Sequence, residues 1–143
     1  MRTLQRQRRS DTGAAAVEFA LVSMILILLL LGIMQFGYLF YQWNEITHAA
    51  REGARWSALG KYAGTVDTED TVRYYVAQAA PGMGLTDTDI DVSVLEPTLD
   101  DVGDPATVTV RWRVPIWTPL LQNLFNAPDN EFVLRSTATL RIE

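Results

Sequence analysis

One acidic residue stands inside an apolar stretch near the N-terminus, and its position has the clearest chemical meaning in the chain. Glu18 follows the apolar residues 14–17 and precedes the apolar residues 19–22. A carboxylate costs about 2.5 to 3.5 kcal/mol at the centre of a membrane-spanning helix and less near its end. Glu18 therefore either pairs with a cation or extends to the membrane interface, where the positive end of a helix would favour it.

The stretch that follows Glu18 is long enough to cross a membrane. Residues 19–44 are 26 residues without a charge, and residues 19–41 are almost entirely apolar. In a helix, residues 19–41 would extend about 34 Å, against a hydrocarbon thickness of about 30 Å. Residues 25–31 are apolar on every face, which favours a membrane-spanning helix over a buried soluble one. A cleavable secretory signal would have a shorter apolar core and small residues after it.

The charges around this stretch predict its orientation. Four arginines and one aspartate lie before residue 13, a net charge of +3, whereas residues 14–143 carry 8 basic and 16 acidic side chains. Basic residues favour the cytoplasmic side, so we predict a cytoplasmic N-terminus and an extracytoplasmic C-terminal part. Tyr38, Tyr41 and Trp43 would mark the outer boundary of the hydrocarbon. The acidic main part argues against a nucleic-acid partner.

The rest of the sequence predicts a small α+β domain. Apolar residues at helical spacing extend the first helix to about Leu59, and residues 69–80 predict a second short helix. Alternating apolar and polar residues predict strands near residues 90–94, 108–114 and 132–142. We expect a small antiparallel sheet of about three strands, in which the acidic residues 96–104 form a hairpin connection between the first two.

Three short segments form a specific pattern. They are GAAAVEFAL at residues 13–21, GYLFY at residues 37–41 and AAREGAR at residues 49–55. With the basic leader and the apolar helix, they resemble the N-terminal region of TadE-like proteins, which are minor pseudopilins of Tad/Flp pili. The resemblance covers roughly residues 12–58 and implies a pilin-like fold. Major Flp pilins match less well because they are far shorter, and the Asp-x-Ser-x-Ser motif of TadG-like relatives is absent at residues 91–95.

The resemblance implies roles for four residues. Prepilin peptidases cut after a glycine placed like Gly13, so Ala14 would become the mature N-terminus and Glu18 the fifth mature residue. Ala14 and Glu18 are four residues apart on a helix, so the new ammonium and the carboxylate share one face and can pair across subunits. We therefore predict a cleavage site at Gly13 and Ala14 and a docking site at Glu18 and Phe19. N-methylation of Ala14 is not predicted.

The connection between the second and third strands is unusually apolar and could be a partner patch. Residues 115–128 include five large apolar side chains: Trp117, Leu120, Leu121, Leu124 and Phe125. In the alternative interpretation, a short helix in this connection covers the open face of the sheet, because so small a domain needs its apolar residues for the core.

Residue types suited to catalysis or metal binding are few. His48 is the single histidine and the chain has no cysteine, so neither a triad nor a thiolate nucleophile can be assembled. Asp87, Asp89 and Asp91 resemble the start of a calcium loop, but Val92 stands where an EF-hand needs glycine. No glycine-rich phosphate loop is present. We predict no enzyme activity, metal, cofactor or small-molecule substrate.

We therefore predict a single-pass protein of the bacterial inner membrane that acts in pilus assembly, and so in adherence or a secretion-type machinery. Its parts would be a cytoplasmic leader at residues 1–13, a spanning helix with its extension at residues 14–60 and an extracytoplasmic domain at residues 61–143. Its partners would be membrane lipid, a prepilin peptidase and other pilins and pseudopilins. One alternative is an uncleaved, signal-anchored accessory subunit of an envelope secretion machine. Another is a membrane-tethered hydrolase, which rests only on scattered aspartates.

Overall fold

A long helix, a short helix and a three-stranded antiparallel sheet make up the fold. The computed structural model describes the backbone of residues 3–117 and 130–143, with side chains from residue 13 onward except at position 99. The predicted α+β arrangement is confirmed. Its elements are α1 (Thr3–Ala58), α2 (Val72–Ala79), β1 (Ile90–Val92), β2 (Pro105–Pro115) and β3 (Glu131–Arg141).

Helix α1 runs through two compact units, of which the first ends at Gly37 and the second begins at Tyr38. In the first unit most large apolar side chains are exposed, and Phe19 is 73% exposed. Among the described residues, one helix, Gly13–Ala58, is long and apolar enough to cross a membrane. Its most apolar window has no buried residues, so lipid or neighbouring helices are needed to cover it.

The sheet of the second unit has the strand order β1-β2-β3, and both neighbouring pairs are antiparallel. Val110 at the centre of β2 lies opposite Ile90 in β1 and Ser136 in β3. The side chains of Val108 and Val110 are fully buried, as the alternating pattern predicts. On the opposite face, threonine hydroxyls bond across β2 and β3 at 2.9 Å, in the pairs Thr107–Thr139 and Thr109–Thr137.

The core of the second unit lies where α1 and α2 pack on one face of the sheet. Small residues on α1 allow the close approach, because a side chain at Gly53 would overlap Val76 of α2 and press tightly on Val108 of β2. The apolar residues at helical spacing that follow the candidate span therefore form the face of α1 that packs into the core of the domain. Its buried residues include Ile46, Ala49, Ala50, Ala54, Val72, Val76, Val108 and Val110.

We predict that Gly53→Val destabilises the second unit by about 3 kcal/mol, since overpacking a tight core costs about 1 to 3 kcal/mol and occasionally more. A Cβ atom at Gly53 would overlap Val76 and lie 3.0 Å from Cγ1 of Val108. Gly82→Ala is the matched control, because a Cβ at Gly82 meets no atom within 4 Å. Urea unfolding of the full chain in detergent measures both, and equal midpoints would contradict the packing argument.

Helix α2 begins later than the predicted residues 69–80. Asp70 has a left-handed backbone, with φ of 65°, which no α-helix can continue through. The next residue, Thr71, is the N-cap, and its Oγ1 accepts a hydrogen bond from the Tyr74 N–H at 3.1 Å. The helix therefore starts at Val72.

Strand β1 is shorter than the predicted residues 90–94. Ser93 continues the pairing, since its N–H donates to the Thr107 carbonyl at 2.9 Å. The Leu95 carbonyl instead accepts a bond from the Ala63 N–H at 2.8 Å, which draws the chain away from β2. The predicted hairpin connection then contains a 3-10 turn, Leu99–Asp101, capped by Thr98.

Candidate functional site

The four residues predicted for processing and docking lie together on the first unit of α1. Gly13, Ala14, Glu18 and Phe19 are all helical and all exposed. Ala14 and Glu18 are four residues apart, so their side chains lie on one side of the helix. The structure therefore places an acid one turn from the residue that would carry a new N-terminus.

Helix geometry predicts where Glu18 would lie if α1 crossed a membrane. Tyr41 is 23 residues further along α1, which corresponds to about 34 Å of helix. If the aromatic residues near Tyr41 mark one edge of a hydrocarbon layer of about 30 Å, Glu18 lies at the opposite edge. Within the part of the chain that the structure describes, no side chain donates a hydrogen bond to the Glu18 carboxylate. A cation from another molecule at this depth would find it accessible.

The peptide bond after Gly13 lies within the helix, so cleavage there requires α1 to open locally. Glycine in a helix interior costs about 0.5 to 1 kcal/mol relative to alanine, which makes this position easier to open. A Cβ added at Gly13 would meet no atom within 4 Å. A larger residue therefore fits the helix here, and an effect of Gly13 substitution on cleavage would not come from misfolding.

The predicted partner patch is described only at its first residue. Trp117 is 59% exposed, and its ring centroid lies 4.6 Å from that of Tyr38, at an interplanar angle of 38°. Trp117 therefore joins the aromatic residues at the start of the second unit, where Phe40 and Trp43 also contact each other. The other four residues of the patch lie outside the described residues: Leu120, Leu121, Leu124 and Phe125.

Sheet register places on one face of the sheet four arginines that the sequence pattern did not reveal as a group. They belong to the face of β2 and β3 that points away from the core, and Arg111 lies directly opposite Arg135. Among the described residues, Arg111 is the member of this group that forms an ion pair, with one Nη lying 3.8 Å from Oδ2 of Asp91. The alternation of basic with apolar residues along both strands was the available signal. The four are Arg111, Arg113, Arg135 and Arg141.

Three ionisable groups with shifted pKa values meet at the start of α2. Lys61 Nζ donates to Asp70 at 2.5 Å, and the Tyr75 hydroxyl donates to the other Asp70 oxygen at 3.0 Å. The bond from Lys61, followed by the bond from Tyr75, lowers the pKa of Asp70. The same contacts raise the pKa values of Lys61 and Tyr75. Each group is engaged in fixing the loop to the helix, and the cluster provides no free base or nucleophile.

The pKa shifts predict how this cluster stabilises the fold with pH. Asp70 contributes fully above its ordinary pKa of 3.8, and the contribution is lost as pH falls through its lower folded value. Lys61 contributes below its ordinary pKa of 10.5, and that contribution is lost as pH rises through its higher folded value. We therefore expect the difference in stability between wild type and Asp70→Asn to be constant from about pH 5 to about pH 9. Outside that range the difference should decrease towards zero.

Thermal unfolding of both chains across this range measures the difference. Asparagine suits the test because it tolerates the left-handed backbone at position 70. The pair is exposed to solvent, so the difference should be small and should shrink in high salt. A difference that persists at about pH 2 would show that backbone geometry, and not charge, is responsible.

The aspartates considered for calcium serve as structural acceptors. Asp87 accepts from the Val66 N–H at 2.8 Å, and Asp89 accepts from the N–H and hydroxyl of Thr86. Among the described residues, no group of three His, Asp or Glu side chains is arranged to hold a metal ion. His48 is exposed on α1.

Comparison with known proteins identifies the N-terminal segment. The family model described as TadE-like protein matches residues 13–55. The match confirms the resemblance predicted from the residue pattern, and it begins at the glycine of the candidate cleavage site. No curated protein and no solved structure matches the chain.

Proposed function

We propose that this chain, which carries a TadE-like domain at residues 13–55, is a minor pseudopilin that helps to assemble a Tad-type pilus. The TadE-like domain supports the interpretation that the chain is a Tad pilus-associated protein. The TadE-like family is structural rather than catalytic. In this proposal the chain acts by association with other pilins and pseudopilins, catalyses no reaction and needs no cofactor. Adherence or secretion would follow from the assembled machinery.

The observation that carries the proposal is the location of Glu18 on an exposed apolar helix. The candidate span exposes large apolar side chains along its length, and other helices can cover them as well as lipid can. Glu18 adds a charge on this surface, one turn from Ala14. An ammonium at the N-terminus of a neighbouring chain would pair with it, and the apolar surfaces of the two helices would pack at the same time.

The proposed topology follows from the charge distribution. The basic leader, residues 1–13, stays in the cytoplasm, the helix crosses the inner membrane, and the domain at residues 61–143 lies outside. The prepilin peptidase then acts on the cytoplasmic side, after Gly13. The helix within residues 14–60 is in contact with membrane lipid until other pilin-like helices take the place of the lipid.

The test is the N-terminal residue and the mass of the full chain, extracted from membranes that contain or lack its cognate prepilin peptidase. We expect Ala14 as the first residue when the peptidase is present and Met1 when it is absent. A chain that begins at Met1 under both conditions would support the alternative, an uncleaved signal-anchored accessory subunit of an envelope secretion machine. The location of Gly13 within a continuous helix is the observation that favours this alternative.

A further inference from the structure

Strand β3 is a long edge strand of the sheet. It has 11 residues, and its inner side pairs with β2 over its full length, from the pair Pro115–Glu131 to the pair Pro105–Arg141. Among the described residues, no strand pairs with its outer side. Edge strands of this length associate readily with other strands unless they are covered or interrupted.

The hydrogen bonds of the sheet identify which groups lie on that outer side. The Ile116 N–H donates to the Asn130 carbonyl, and the Ile142 N–H donates to the Asp104 carbonyl. Because bonded and non-bonded pairs alternate in an antiparallel ladder, the even-numbered residues of β3 bond to β2. The odd-numbered residues therefore direct their N–H and C=O groups outward. Four of these, Val133, Arg135, Thr137 and Thr139, fall in the middle of the strand.

We propose that this edge pairs with β3 of a second copy of the chain, antiparallel and centred on Ser136. In that register Glu131 of each copy lies opposite Arg141 of the other, which forms two ion pairs per dimer. Val133 faces Thr139, and Arg135 faces Thr137. The charges of β3 are thus complementary to those of an antiparallel β3 from a second copy. A two-fold interface requires this self-complementarity.

The neighbouring registers are less favourable. A shift that centres the pair on Arg135 places two like charges directly opposite each other, which destabilises a sheet. A shift that centres it on Thr137 leaves Glu131 without Arg141. In the chain itself, no described residue forms an ion pair with Glu131 or Arg141, so both are available for this contact.

Apolar burial adds to the charge complementarity. Val133 is 64% exposed and Leu140 is 47% exposed on the single chain. In the proposed register each lies next to a strand of the other copy, Val133 against Thr139 and Leu140 against Phe132. The dimer would join the two sheets into one of six strands and would remove both open β3 edges.

Ser136→Cys tests the register in the purified full-length chain in detergent. Residue 136 would face itself across the two-fold axis in a non-hydrogen-bonded pair, where a Cα separation of about 4.5 Å allows a disulfide. The chain has no other cysteine, so the cross-link reports on this position alone. Thr107→Cys on the central strand is the matched control. We expect a disulfide-linked dimer from Ser136→Cys and none from Thr107→Cys.

A charge exchange tests the pairing independently. We expect Arg141→Glu to weaken the dimer about tenfold in sedimentation equilibrium, and the double variant Glu131→Arg, Arg141→Glu to restore its Kd. A monomeric wild type, equal cross-linking of both cysteine variants or no rescue by the double variant would overturn the proposal. So would a Ser136→Cys chain that cross-links only to a different protein in membranes. None of these results depends on cleavage after Gly13.

Discussion

Gly13→Leu should leave the chain uncut, with Met1 as its first residue, in membranes where the wild type begins at Ala14. The resemblance to prepilins implies that a peptidase requires the small residue before its scissile bond. Space within the helix is not the limitation, because a side chain at Gly13 meets no atom within 4 Å. We expect the processed fraction to fall from nearly complete to undetectable, measured by intact mass and N-terminal sequencing of the extracted protein.

Gly32→Leu is the matched control for this substitution. Gly32 lies in the same helix, and a Cβ there also meets no atom within 4 Å. Both variants add the same apolar side chain to α1, so both should insert into the membrane equally well. Normal processing of Gly32→Leu would confine the effect to the cleavage position. Cleavage of Gly13→Leu to a product that begins at Ala14 would contradict the role of Gly13.

Glu18→Gln should permit cleavage but prevent assembly. The amide removes the charge, and a neighbouring N-terminal ammonium at the same depth loses its partner. An unpaired charge costs about 2.5 to 3.5 kcal/mol at the centre of a spanning helix and less near its end, so incorporation into pilus-associated complexes should fall at least about tenfold. Co-purification of the processed chain with the other pilins, from cells that carry the complete pilus system, measures the loss.

Two further variants of α1 make this test specific. Glu18→Asp keeps the charge and should retain part of the assembly, because only the length of the side chain changes. Glu45→Gln removes an acid of the same helix that lies beyond the apolar segment, and it should assemble normally. Wild-type assembly of Glu18→Gln would exclude the docking role while leaving the cleavage at Gly13 unaffected.

The features of the fold that depend on spacing along the chain were predictable from the sequence. The apolar segment and the helical pattern after it predicted one continuous helix to about Leu59, and α1 ends at Ala58. The alternation around Val110 predicted a half-buried strand, and β2 has the expected buried face. In both cases the spacing of the apolar residues determines whether the segment is a helix or a strand, and it also determines which face is buried.

The ends of the shorter elements were less predictable because individual hydrogen bonds outside the periodic pattern decide them. The left-handed backbone of Asp70 is held by Lys61 and Tyr75, and it delays the start of α2. The bond from Ala63 to Leu95 ends the first strand early. These contacts join residues 5, 9 and 32 positions apart, and a periodic pattern of apolar residues contains none of them.

The candidate site was more visible in the sequence than the surface of the sheet. A carboxylate inside an apolar segment stands out in one dimension, so Glu18 could be identified without a structure. The opposition of Arg111 and Arg135, and the open edge of β3, arise only from the register of the two strands. Surfaces that depend on strand register can be identified only when the pairing of the strands is known.

The sharing of α1 between the two compact units affects how the protein could be released from a membrane. The residues of α1 from Ile46 to Ala54 supply one wall of the core, and the Ala58 carbonyl accepts a hydrogen bond from the Glu143 N–H at 3.1 Å. A protease that cut α1 between Ile46 and Ala54 would remove part of this wall from the fragment. A released fragment that keeps this wall whole therefore requires a cut before Ile46, closer to the start of the second unit at Tyr38.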